Sequence, residues 1–119
     1  KRVVLLDVSA PFHSKLMKSA VERMQNVLDT IKFLDFEIPM VTNFDARTIT
    51  DKSKIKRLLL DQLTSPVLWH QSINYLNSNL GVKSFLEVGP KNVLSGLIKR
   101  IVPDCNILNF GEKADLEKI

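Results

Sequence analysis

The 119-residue sequence predicts an α/β protein. Three observations carry that prediction. Short, β-branched apolar runs such as Val3–Val8 and Val82–Val88 alternate with longer stretches whose apolar residues recur every three or four positions. Gly and Pro punctuate the junctions, at Pro11, Pro39, Pro66, Gly81, Gly89-Pro90 and Pro103. A composition of 45% apolar and 25% charged residues supplies enough apolar surface for layers to pack.

Each element follows from its residues. Val3–Val8 reads as a buried strand, broken by Ser9-Ala10-Pro11. Ser14 is placed to cap a helix that runs to about Lys32. Its apolar face is Leu16, Ala20, Met24, Val27, Leu28 and Ile31. A second strand runs from Phe36 to Asn43, and Pro39 marks it as an edge strand or one that carries a bulge. Asn43-Phe44-Asp45-Ala46 is a loop. Asp51 or Ser53 caps a helix whose face is Ile55, Leu58, Leu59 and Leu63. Thr64-Ser65-Pro66 opens another helix, with Pro66 in its first turn and Gly81 closing it. Val82–Val88 forms a third strand, Gly89-Pro90 turns the chain, and Val93, Leu94, Leu97, Ile98 and Ile101 define a last helix before Pro103. Asn106–Phe110 forms a short final strand, and the polar tail from Gly111 frays. Strands separated by helices imply mostly parallel pairing.

Several function classes drop out. The net charge is +4, but the basic residues are dispersed and carry no interleaved aromatics, so a nucleic-acid binder is not expected. No apolar run reaches membrane-spanning length. The single cysteine, Cys105, forms no internal disulfide and suits a reducing compartment, so a cytoplasmic location is expected. A strand at the very start of the chain needs neighbours to pair with, which leads us to expect a piece of a longer protein.

The residue with the most chemistry is His13, between the first strand and the first helix. Imidazole takes and returns a proton near neutral pH. No metal set surrounds it: the chain has one Cys, and the other histidine, His70, reads as a partly exposed helix residue after Trp69, a packing anchor. A nucleophile is missing, because no Gly-x-Ser-x-Gly elbow occurs. Gly89-Pro90-Lys91-Asn92 precedes a helix, where amides meet anions, but it lacks the spaced glycines of a phosphate loop and reads as a structural turn.

Four co-linear blocks then resemble one family. Val8-Ser9-Ala10-Pro11-Phe12-His13-Ser14-Lys15-Leu16-Met17 resembles the histidine block of the malonyl-CoA:acyl-carrier-protein transacylases. Pro39-Met40-Val41-Thr42-Asn43-Phe44-Asp45-Ala46 resembles that family's Pro-x-Val-Ser-Asn-x-Asp-Ala segment. Gln62-Leu63-Thr64-Ser65-Pro66-Val67-Leu68-Trp69 is similar to its Gln-Leu-x-x-Pro-Val-x-Trp block. Glu87-Val88-Gly89-Pro90 and Val93–Arg100 resemble its closing block. One departure stands out: the family's Gly-Pro-Gly-Lys is Gly89-Pro90-Lys91-Asn92 here, which puts the loop geometry in question.

The resemblance implies the C-terminal part of an α/β-hydrolase-like acyltransferase fold. Residues 1–13 would end a small ferredoxin-like subdomain, and 14–119 would close the large subdomain. It implies a malonyl transfer from coenzyme A to the phosphopantetheine of acyl carrier protein, through a seryl ester, in fatty-acid biosynthesis. His13 would be the general base, oriented by the backbone carbonyl of Gln62, with Phe12 and Asn43 at the substrate. The serine and a carboxylate-binding arginine would lie upstream, so the segment alone would be inactive. Malonyl-CoA and acyl carrier protein are the implied partners, with no metal or other cofactor and a monomeric intact enzyme. Two rivals share the scaffold: an acyltransferase segment of a polyketide or multifunctional fatty-acid synthase, and a non-catalytic interaction module.

Overall fold

The computed structural model describes Val3 and residues 8–118. The expected first strand, Val3–Val8, therefore lies almost wholly outside the described residues. The chain divides into two compact units, Lys1–Leu68 and Trp69–Ile119.

The first unit begins with a turn at Pro11–Ser14, a 3-10 turn over Lys15–Met17, and helix α1, Lys18–Asp29. Ser14 is the cap the sequence predicts: its hydroxyl accepts from the Leu16 amide at 3.3 Å and donates to the Pro11 carbonyl at 2.7 Å. The helix ends at Asp29, three residues short of expectation. Thr30 takes the C-cap, and its hydroxyl turns back to the Val27 carbonyl at 2.8 Å, which offers the backbone an alternative to another turn. Of the predicted apolar face only Leu28 is buried, where α1 meets α2, Ile55–Thr64.

The expected strand Phe36–Asn43 shrinks to β1, Met40–Val41, paired antiparallel with β2, Thr48–Ile49. Pro39 cannot donate to a ladder, so pairing starts only after it. Between β1 and β2, Asp45 organises the turn. Its carboxylate accepts from the Thr42 hydroxyl at 2.5 Å and the Arg47 amide at 3.1 Å. Asp51 caps a 3-10 turn, Lys52–Lys54, that leads into α2; the Ser53 hydroxyl and amide, with Lys54 beside it, hold the Asp51 carboxyl below its usual range. Four cations here each face an aspartate: Lys52–Asp35 at 2.7 Å, Lys54–Asp51 at 4.0 Å, Arg57–Asp61 at 3.5 Å, and Lys56–Asp29.

The second unit holds α3, Trp69–Ser78; β3, Ser84–Val88; α4, Val93–Ile101; and β4, Asn106–Phe110. β3 and β4 pair in parallel, Ser84 opposite Asn106 through Val88 opposite Phe110, with α4 as the crossover. Mostly parallel pairing thus holds for this pair and fails for the β1–β2 hairpin, whose short turn allows only antiparallel strands. The core is Ile73, Ile98, Val102 and Cys105, with Trp69, Leu76, Phe85, Ile101 and Ile107 packed on it. Trp69 packs as the sequence predicts, and Cys105 is buried in this core. Gly81, at φ +69, closes α3 by sending the Val82 amide to the Leu76 carbonyl at 3.0 Å.

Residues 111–118 are held in place where the sequence led us to expect a fraying tail. The buried Asp115 side chain accepts from the amides of Gly111 at 2.9 Å and Glu112 at 3.1 Å, and a 3-10 helix spans Lys113–Lys118. Gly111 itself runs so close to β3's exit that a Cβ would sit 2.7 Å from the Gly89 carbonyl.

Candidate active site

The loop before α1 presents His13 with a left-handed backbone, φ 57, which is uncommon outside glycine. The Ser14 hydroxyl bridging Pro11 and Leu16 closes the loop around it. Such a conformation persists only where the surroundings fix it. The imidazole is exposed, and its Nδ1 lies 3.0 Å from the backbone carbonyl of Gln62, 49 residues away, in the last turn of α2. A carbonyl only accepts, so this contact puts the proton on Nδ1. Nε2 keeps its lone pair, and among the described residues no partner meets it.

Gln62 approaches the same ring nitrogen a second way. Its side-chain Nε2 is 3.3 Å from Nδ1 and 3.2 Å from the Ser65 carbonyl. The Ser65 contact fixes the amide with its NH2 end inward, since an oxygen there would face another acceptor. The cost is a buried Gln62 Oε1 with no hydrogen bond. Gln62 therefore offers one ring nitrogen both an acceptor, from its backbone, and a donor, from its side chain. The shorter contact favours the Nδ1–H form.

Phe12 is 54% exposed beside His13, with its amide on the Ala10 carbonyl at 2.9 Å. Asn43 follows β1, and its carbonyl takes the Leu68 amide at 2.8 Å. Asn43 and Gln62 share the wall of a pocket of about 160 Å³, lined also by Met40, Val41, Ile55 and Leu59. His13 and Gln62 are thus in direct contact and Asn43 joins Gln62 in one pocket wall, while Phe12 stands next to His13 in the chain.

Other candidates resolve as structural. His70 meets the Asn74 amide at 2.9 Å along α3. Among the described residues no group of three or more His, Cys, Asp or Glu could hold a metal ion, and no helix is long and apolar enough to cross a membrane. The amides that start α4 already have their anion: the Glu87 carboxylate accepts from Leu94 at 3.1 Å, from Ser95 at 2.8 Å and from the Ser95 hydroxyl at 2.5 Å. Led by the Ser95 hydroxyl, these bonds hold its carboxyl below the usual glutamate range. The departure at Lys91-Asn92 costs no backbone strain, since neither residue takes a positive φ.

The sequence missed the Glu87 cap and the Asp115 anchor. The signal for the first was an acidic residue just before a Gly-Pro turn and a helix start.

No protein-family model matches the chain. It is 46% identical over 101 residues to malonyl CoA-acyl carrier protein transacylase of Bacillus subtilis (strain 168), a match covering 85% of this chain and 32% of that protein. The crystal structure of MCAT from Streptococcus pneumoniae superposes with a TM-score of 0.91 at 34% identity, over 100% of this chain and 40% of that one. A malonyl-transacylase in complex with its type II PKS acyl-carrier protein superposes with a TM-score of 0.86 at 35% identity, over 95% of this chain and 36% of that one. The chain spans about a third of the length of the curated relatives it matches.

Proposed function

We infer that the chain belongs to the malonyl CoA-acyl carrier protein transacylase family and, from that premise, that it carries the proton-handling half of a malonyl transfer site. The observation that supports this most directly is the 3.0 Å contact between His13 Nδ1 and the Gln62 carbonyl, which leaves Nε2 free as a base.

The reaction runs in two acyl transfers. A serine from sequence outside these residues gives its hydroxyl proton to His13 Nε2 as its oxygen attacks the malonyl thioester carbon. The C–S bond breaks, and the coenzyme A thiolate takes that proton from Nε2. The phosphopantetheine thiol of acyl carrier protein then loses its proton to Nε2. Its sulfur attacks the seryl ester, and the proton returns to the serine oxygen. The Gln62 carbonyl holds the imidazole in one tautomer throughout. Being neutral, it supports the imidazolium less than a carboxylate would.

Phe12, beside the base, would crowd an α-methyl branch, a discrimination of about 1–3 kcal/mol. Asn43 would shape the neighbouring pocket wall. Ester chemistry of this kind needs a base, a nucleophile and donors to the oxyanion, and calls for no metal or redox group. In this reading residues 1–13 end a ferredoxin-like subdomain, 14–119 close an α/β-hydrolase-like one, and the intact enzyme is a cytoplasmic monomer.

The test is malonyl transfer to acyl carrier protein. Joined to the serine-bearing sequence, the wild-type chain is expected to be active, and His13→Ala to lose about 10²–10⁴-fold. The 119-residue chain alone is expected to transfer nothing. Transfer by the chain alone, or full activity in the His13 variant, overturns the reading.

A further inference from the structure

We propose that Pro66 is a positioning residue: by withholding an amide proton from the end of α2, it reserves the Gln62 carbonyl for His13. The proposal rests on the reading of His13 as the base.

In an α-helix the carbonyl of residue 62 accepts from the amide of residue 66. Residue 66 is proline and has no amide proton. A proline also disfavours helical geometry in the residue before it, and Ser65 is extended, at φ −120 and ψ 150. Both effects end α2 at Thr64 and leave the Gln62 carbonyl among the unfilled acceptors of the last turn. Its partner among the described residues is His13 Nδ1, at 3.0 Å.

Two further contacts hold this ending open. The Gln62 side-chain amide donates to the Ser65 carbonyl at 3.2 Å, and the Leu68 amide is taken by Asn43 at 2.8 Å. Continuing the helix past Thr64 would take the Leu68 amide from Asn43, so these contacts favour the ending that Pro66 enforces without supplying it alone. An amide proton at residue 66 would let Ser65 turn helical and compete for the acceptor that orients the imidazole. The ring would then fall back on its other contact, accepting at Nδ1 from Gln62 Nε2 at 3.3 Å, with the proton on Nε2. That tautomer is useless as a base.

The experiment reads the tautomer itself. In the ¹⁵N-labelled 119-residue chain, at a pH where the ring is neutral, ring nitrogen shifts report the ratio of Nδ1–H to Nε2–H. The wild-type chain is expected to favour Nδ1–H, and Pro66→Ala to lower the ratio about threefold or more, the effect of one net hydrogen bond. Replacing residue 66 by L-lactic acid removes the ring but still supplies no amide proton, and is expected to keep the wild-type ratio. A wild-type chain favouring Nε2–H, an unchanged ratio in Pro66→Ala, or a ratio that falls in the lactic acid variant overturns the proposal. A lowered melting temperature without a tautomer change counts against it as well, since it makes Pro66 a helix stop and nothing more. These outcomes do not depend on catalysis, so they separate this proposal from the functional reading, which fails only on the transfer assays.

Discussion

Among the described residues, Trp69–Ile119 closes around four buried apolar side chains, whereas Lys1–Leu68 buries Leu28, Ala46 and Ile49 and ties its elements with polar contacts. Apolar burial is strong but non-directional. A hydrogen bond or an ion pair contributes little net energy, yet fixes distance and angle. The unit that carries His13 is built from the second kind of contact: Ser14 to Pro11, His13 to Gln62, Gln62 to Ser65, Leu68 to Asn43. Precision at the imidazole is kept by bonds that add little to stability, and the buried apolar cluster lies where no proton is handled.

The sharpest way to break that contrast is Ile73→Ala. Ile73 is 3% exposed in the second core, so the cavity it leaves should cost about 2–5 kcal/mol in denaturant unfolding. A cost below 1 kcal/mol would mean the core does not dominate. Gly111→Ala comes next. Its Cβ would meet the Gly89 carbonyl at 2.7 Å, backbone against backbone, and the strain should cost about 1–3 kcal/mol by the same measurement.

Acid sharpens the comparison further. The Glu87 carboxyl is held low in the folded chain and relaxes to its ordinary value on unfolding, so the unfolded state binds more protons on acidification. The stability it contributes is full above the ordinary glutamate range and fades as pH falls through the lowered folded value. Glu87→Gln should flatten the pH dependence of thermal melting in that acid window; an unchanged slope would remove Glu87 as its cause. The smallest effect belongs to the first unit. Lys56→Ala breaks a pair with Asp29 whose side chains are 33% and 50% exposed, and should change stability by no more than about 1 kcal/mol. A larger loss would show that this unit draws real stability from its ion pairs.

The same contrast explains what could be read from the sequence. β3, α4 and β4 were legible nearly to the residue, because apolar runs bounded by Gly and Pro report burial directly. The β1–β2 hairpin was not, since two-residue strands carry no period. Pro66 was read as the first turn of α3, but that helix starts at Trp69, and Pro66 instead follows the extended Ser65 in the break after α2. His13 stood out on chemistry alone. Gln62 did not, and entered only through resemblance: a backbone carbonyl leaves no mark in composition or spacing. The one trace it left is the proline four residues on, legible only once α2 was known to end there.

The dispersed basic residues include four close together in sequence, from Lys52 to Arg57. Each faces an aspartate, so an approaching body meets four small dipoles in place of a charge of plus four. The potential of a dipole dies with the square of distance, faster than that of a charge, and salt shortens its reach again. A few ångströms out, this stretch is electrically quiet. It neither summons an acidic macromolecule nor repels a basic one, and the chain's net charge of +4 is carried by its other residues.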